Sequence, residues 1–187
     1  MGWGEARANF RRWARVPAVL VAGALTAGCF QPLYGGGTSP DQPTVRSALR
    51  SVDVLEIAAP ANSSEARIAV QMRNDLMFGF TAGADPQPPT HRLKVQITGG
   101  RSVVTIDRQS ALPNVEAYGL NSTYSLTEIG TGKVVVTGRA STNVSYDTLG
   151  QQRFARISGM HDAERRAAKV ISDNITTRLA SYFISGS

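Results

Sequence analysis

The chain has 187 residues, 42% of them hydrophobic and 18% charged, with a formal net charge of +6. These values suit one compact globular domain of modest size and exclude both a disordered polyelectrolyte and a polytopic membrane protein. Part of the basicity belongs to the beginning of the chain, where Arg7, Arg11, Arg12 and Arg15 face only Glu5; without the first 28 residues the charge falls from +6 to +3, modest and too evenly spread for a nucleic-acid partner.

Residues 11 to 29 read in three parts: a basic start (Arg11, Arg12, Arg15), an apolar run from Val16 to Leu25, and the small residues Thr26, Ala27 and Gly28 before Cys29. This is the grammar of an exported precursor. A spanning helix needs roughly 20 apolar residues, about twice what this run offers. Residues 1–28 are therefore expected to be a lipoprotein signal peptide. Arg11-Arg12 lacks the rest of a twin-arginine motif.

The chain has a single cysteine, so no intramolecular disulfide can account for it. Leu25-Thr26-Ala27-Gly28-Cys29 resembles the bacterial lipobox, with leucine one place earlier than usual. The resemblance implies lipidation of Cys29, with diacylglycerol on the thiol and an N-acyl chain on the new amino terminus. Several acyl chains on one residue anchor firmly where a single chain does not. The alternative is a small buried cysteine at the end of a signal cleaved elsewhere, after Ala27 or within Gly35 to Gly37. No other cofactor is expected.

Residues 29–44 then form an expected tether, rich in glycine with Pro40 and Pro43, and a single domain is expected over 45–187. Ser51 to Ala58 has a strand-like alternation that Pro60 stops. Asn62 followed by Glu65 looks like a capping box, after which Ile68, Met72, Leu76 and Phe80 predict an amphipathic helix. His91 to Thr98 alternates Leu93, Val95 and Ile97 against Arg92, Lys94, Gln96 and Thr98, as a half-buried strand does. Gly99-Gly100 suggests a bulge before Val103, Val104 and Ile106 resume the extended character. Val115 to Glu128 and Lys133 to Tyr146 predict a hairpin around Gly130-Thr131-Gly132. Phe154 to Phe183 predicts a second helix, with Ala163, Ala167, Ile171, Ile175 and Leu179 on one face.

This order predicts an α+β two-layer sandwich: a four-stranded, mostly antiparallel or mixed sheet with two helices packed on one face. At about 150 residues, such a domain is expected to be about 25–30 Å across.

Cys29-Phe30-Gln31-Pro32-Leu33-Tyr34-Gly35 resembles the start of mature alphaproteobacterial LPS-assembly lipoproteins of the LptE family. Phe154-Ala155-Arg156, the Ala/Glu/Arg-rich stretch around Asp162 to Arg166 and the closing Thr177-Arg178-Leu179-Ala180-Ser181-Tyr182-Phe183 are similar to that family's C-terminal segment. The resemblance implies a non-enzymatic role beside the outer-membrane barrel LptD, assisting insertion of lipopolysaccharide into the outer leaflet. Phe30 in place of an aspartate after the cysteine implies sorting to the outer membrane. Two other readings stay open: an envelope lipoprotein that binds another periplasmic component, such as peptidoglycan or a secretion complex, and a lipid-anchored hydrolase.

Enzymatic motifs are scarce. His91 and His161 have no second imidazole or cysteine at metal spacing and read as solvated or capping residues. No Gly-x-Ser-x-Gly elbow occurs, and Gly132-Lys133 lacks the rest of a phosphate loop. The candidate binding residues are cations. Arg92 and Lys94, two apart on a strand, project on one side. With Lys133 and Arg139 nearby on the hairpin, they could meet a lipid A phosphate or a core sugar acid. The plainer reading is a solvent-facing strand kept from edge pairing by its charges. Tyr118, Tyr124 and Tyr146 either rim an interface with a barrel wall or are half-buried sheet residues.

Overall fold

A computed structural model describes residues 44–59, 63–106, 108, 113–148 and 153–186. The expected leader, Cys29 and all of the tether before Thr44 lie outside the described residues. The elements in chain order are α1 (Val45–Arg50), β1 (Val52–Val54), α2 (Ser64–Thr81), β2 (His91–Ile106), β3 (Pro113–Glu128), β4 (Val134–Asp147) and α3 (Arg153–Ser185). The strands form one mixed sheet in the order β1-β2-β3-β4. β1 runs parallel to β2, and the other two pairings are antiparallel. This is the α+β architecture expected, with a third, short helix added.

Each element follows from its local chemistry. Thr44 caps α1 by accepting from Ser47 N, and Ser63 caps α2 by accepting from Ala66 N, so each satisfies a free amide of the first turn. In α2 the cap lies one residue beyond the expected Asn62. The backbone amide of Glu65 itself also holds its carboxyl below the ordinary range. α2 ends where Ala82 takes the left-handed conformation at φ 50° and donates to Phe78 O, a C-cap conformation that costs any residue with a Cβ.

The core is the seam between the sheet and the helix layer. Ile68, Met72, Leu76 and Phe80 of α2, and Ala163, Ala167, Ile171, Ile175 and Leu179 of α3, are all buried, as are Leu93, Val95, Leu120 and Leu126 from the sheet. Small residues let the two long helices approach: a Cβ at Gly79 would lie 3.1 Å from Thr176 Oγ1, and Ser172 Oγ donates to Met72 O at 3.4 Å. With 33 residues, α3 is about 50 Å long. The expected width of 25–30 Å is therefore too small along this direction, because the secondary-structure elements are long and run side by side.

Three local expectations need correction. The first strand is three residues, not eight, because Ser51 closes α1 by donating to Ala48 O and the chain leaves the sheet after Leu55 donates to Leu93 O. Ile57 then plugs the core from extended chain. β2 runs through Gly99-Gly100 without a register shift; the irregularity falls at Val103 and Thr105. The helix α1, whose only buried residue is Leu49, is too short to show a periodic stripe.

Candidate functional site

The sheet has two unlike faces. Leu93, Val95, Tyr124 and Leu126 point into the helix layer, while Arg92, Lys94, Gln96, Thr123 and Arg139 alternate with core residues and are exposed. The register sets out this open face in rows: Arg92 pairs with Thr127, Lys94 with Ser125 and then Thr137, and Gln96 with Thr123 and then Arg139. Lys94 and Arg139 thus share a face two strands apart, about 10 Å at the usual spacing, with a carpet of hydroxyls between them. A shallow depression lined by Lys94, Gln96, Thr123, Tyr124 and Ser125 lies there.

Three of the four expected cations are therefore brought onto one surface. Arg92 sits at its rim and faces Asp53 of β1, Nε to Oδ2 at 3.6 Å, with both side chains in contact with water, so this pair adds little stability. Lys133 stands apart. It lies in the β3–β4 turn, where its N donates to Thr131 Oγ1 at 3.3 Å and its carbonyl accepts from Glu128 N at 2.9 Å. Among the described residues, Asp53 is the carboxylate paired with Arg92, and Lys94 and Arg139 take part in no ion pair.

The tyrosines are on the other side. Tyr118, Tyr124 and Tyr146 are all buried in the core cluster, which removes them as rim residues for an interface. Sheet alternation decides this: each shares its face with Leu120 or Leu126 rather than with Thr123. Tyr118 and Tyr146 have their phenols pushed up to about 12, chiefly by burial, and Tyr146 Oη donates to Glu116 Oε2 at 2.5 Å.

His91 is half-buried and not simply solvated. Its ring meets Phe183 edge-on at 5.2 Å, its Nδ1 lies 2.9 Å from Thr90 Oγ1, and burial holds its imidazole below the usual histidine range. His161 lines a small cavity with Arg67, Gln71, Glu164 and Arg165. Among the described residues no three His, Cys, Asp or Glu side chains are placed to share a metal ion, and no helix is long and apolar enough to cross a membrane.

A second surface was not legible in the sequence. α2 and the β1 edge flank a groove of about 560 Å³ whose walls include Val52, Val54, Met77, Phe78 and Pro89. In its lining, Arg73 donates to Val54 O at 3.2 Å and Arg50 donates to Asp85 O. Phe78 is 70% exposed. A large aromatic residue off the buried stripe of α2, midway between Leu76 and Phe80, was the only signal.

Comparison with known proteins bears on the fold. No family profile matches the chain, and no curated protein matches it. Solved structures do. A Caulobacter crescentus CB15 protein provisionally named a lipoprotein matches with TM-score 0.58 and 21% identity over 75% of this chain and 96% of its own. The minor lipoprotein of Acinetobacter baumannii matches with TM-score 0.52 and 15% identity over 71% and 92%. The rare lipoprotein B of Shewanella oneidensis matches with TM-score 0.52 and 11% identity over 72% and 96%. The chain therefore shares its α+β fold, over nearly the full length of each of these structures, with proteins that bear the name lipoprotein.

Proposed function

We propose that the chain is an outer-membrane lipoprotein, held by acyl chains on Cys29, that supports the lipopolysaccharide translocon by plugging an LptD-type barrel and assisting lipopolysaccharide insertion. The observation that carries the reading is the division of the sheet into one sealed face and one open face of hydroxyls, amides and the cations Arg92, Lys94 and Arg139. Such a face can lie against a wet barrel lumen and can offer charge-assisted bonds to phosphate. The shared fold with proteins named lipoproteins supports the anchored half of the reading, and the resemblance of residues 29–35 to the LptE amino terminus supports the rest. The role is binding and assembly, without covalent chemistry.

Detergent purification of the full chain tests it: an untagged large barrel should come down at one copy per copy of this protein. Depletion should strip lipopolysaccharide from the cell surface. An envelope lipoprotein serving peptidoglycan or a secretion complex would leave surface lipopolysaccharide intact. Charge reversal of Arg92 and Lys94, in protein shown to be folded, should weaken lipopolysaccharide binding.

A further inference from the structure

α2 has a second apolar face. Val70, Met77 and Phe78 are 64%, 41% and 70% exposed, and at spacings of seven and eight they fall on one side of the helix, apart from the buried stripe. Large apolar side chains grouped in water mark a binding surface. Met77 and Phe78 wall the groove of about 560 Å³ together with Val52 and Val54 of β1, a volume ordinary for a small-molecule site. Val70 lines a second hollow with Ile57, Ala58, Ala59 and Ala66. Arg73 lines both.

Arg73 is placed to hold an anion. Its Nε donates to the Val54 carbonyl, which fixes the guanidinium beside β1. Among the described residues its two terminal nitrogens make no hydrogen bond and it enters no ion pair. The other charges in these linings are engaged elsewhere or lie in water. Arg50 gives Nε and Nη2 to Asp85 O, Asp53 faces Arg92, and Glu56 is exposed and takes part in no ion pair among the described residues.

We infer that the groove takes one acyl chain of an anionic phospholipid, with its phosphate on the terminal nitrogens of Arg73. A guanidinium with both of these nitrogens available matches a phosphate in shape and charge. Largely apolar walls suit a hydrocarbon chain, which brings no polar group to satisfy. A peptide strand added to β1 would instead meet an edge already occupied, since Gln87 N donates to Arg50 O and Arg73 to Val54 O. Length agrees as well: from Arg73 to Thr81 α2 rises about 12 Å, close to the roughly 15 Å that one chain spans in half of a bilayer's hydrocarbon core. The hollow beyond Arg73, lined by small side chains, leaves room for the glycerol of the head. The groove includes none of Arg92, Lys94 and Arg139, so lipid binding here stands or falls apart from the translocon reading.

The test reconstitutes the full chain into phosphatidylcholine vesicles doped with phosphatidylglycerol that carries a diazirine in its acyl chain. After irradiation, mass spectrometry should find adducts on Val54, Met77 and Phe78. The same diazirine on phosphatidylcholine should label them roughly threefold to tenfold less, and Arg73→Gln should lower the phosphatidylglycerol yield by a similar factor. Phe78→Asp, at a position already in water, should abolish labelling of the groove with circular dichroism unchanged. Glu56→Gln should leave the yield unchanged or raise it. Adducts spread over the domain, equal yields from the two heads, or full labelling in Phe78→Asp would each overturn the proposal. So would a loss in Glu56→Gln, which assigns the hollow to an ammonium-bearing head. Displacement of the label by less lipopolysaccharide than phosphatidylglycerol would give the groove to that lipid instead.

Discussion

The carboxylate of Glu164, 5% exposed, receives Arg67 Nη2 at 3.1 Å, while the arginine itself is half in water. It ties α3 to the first turns of α2 at the edge of the small cavity that also holds His161. Removing the arginine leaves a buried charge without its partner. Arg67→Ala should therefore destabilise the domain by about 1–2 kcal/mol, at the low end because water replaces part of the lost contact. Arg67→Ala combined with Glu164→Leu should recover most of that loss, since an apolar pair needs no counter-charge. Urea denaturation of the two variants checks the order.

Two tyrosines in the core lie over glycines on neighbouring strands. A Cβ at Gly99 would overlap the Tyr118 hydroxyl, and one at Gly138 would overlap the ring and hydroxyl of Tyr124. Gly99→Ala and Gly138→Ala should each destabilise by about 1–3 kcal/mol through overpacking. Tyr118 Oη is buried with no hydrogen-bond partner among the described residues, so Tyr118→Phe should be neutral or slightly stabilising and should rescue part of the Gly99→Ala loss. Thermal unfolding of the single and double variants forms the cycle that decides it.

Alkaline pH should unfold the domain through the same side chains. Tyr118 and Tyr146 are pushed up to about 12 in the folded chain, chiefly by burial, against an ordinary value of 10.0. Between these values the unfolded chain releases phenolic protons that the folded chain keeps, so stability is fully present below pH 10 and falls as pH rises toward 12. The slope is up to about 1.4 kcal/mol per pH unit for each tyrosine. A Tyr118→Phe, Tyr146→Phe double variant should flatten the curve over that window; urea midpoints at several alkaline pH values measure it.

The anchor gives a prediction independent of the fold. Mass spectrometry of the mature amino terminus should find acylated Cys29, and Cys29→Ala should move the protein from the membrane pellet to the soluble fraction. A free thiol, or processing at another bond, would remove the lipoprotein reading while leaving the domain's architecture untouched.

Long amphipathic elements were legible because periodicity scales with length. The stripes Ile68 to Phe80 and Ala163 to Leu179, and the alternation of Leu93, Val95 and Ile97, each foretold which side chains face the seam. Short or exceptional pieces were not. α1 spans six residues and buries Leu49 alone, so no pattern could announce it. β1 was overread because Ile57 is apolar for the core but lies beyond the strand. For the candidate site, alternation did place Arg92 and Lys94 on one face, and the hairpin did carry Arg139 there. Lys133 lay beyond that logic because turn geometry, not strand period, sets its place. The groove under Phe78 depends on a long-range meeting of β1 with α2 that local sequence does not encode.

β1 pairs with only the first three residues of β2, and Val103, Val104 and Ile106 are all more than half exposed. The far end of β2 is therefore an edge: among the described residues it is paired with β3 alone, whereas β3 is covered on its other side by β4 as far as Val115. An edge strand held on one side, with exposed side chains, has little to resist fraying. Its amides should be the first to exchange deuterium and its backbone the first to be clipped by a protease, long before the stretch from Leu120 to Leu126 opens.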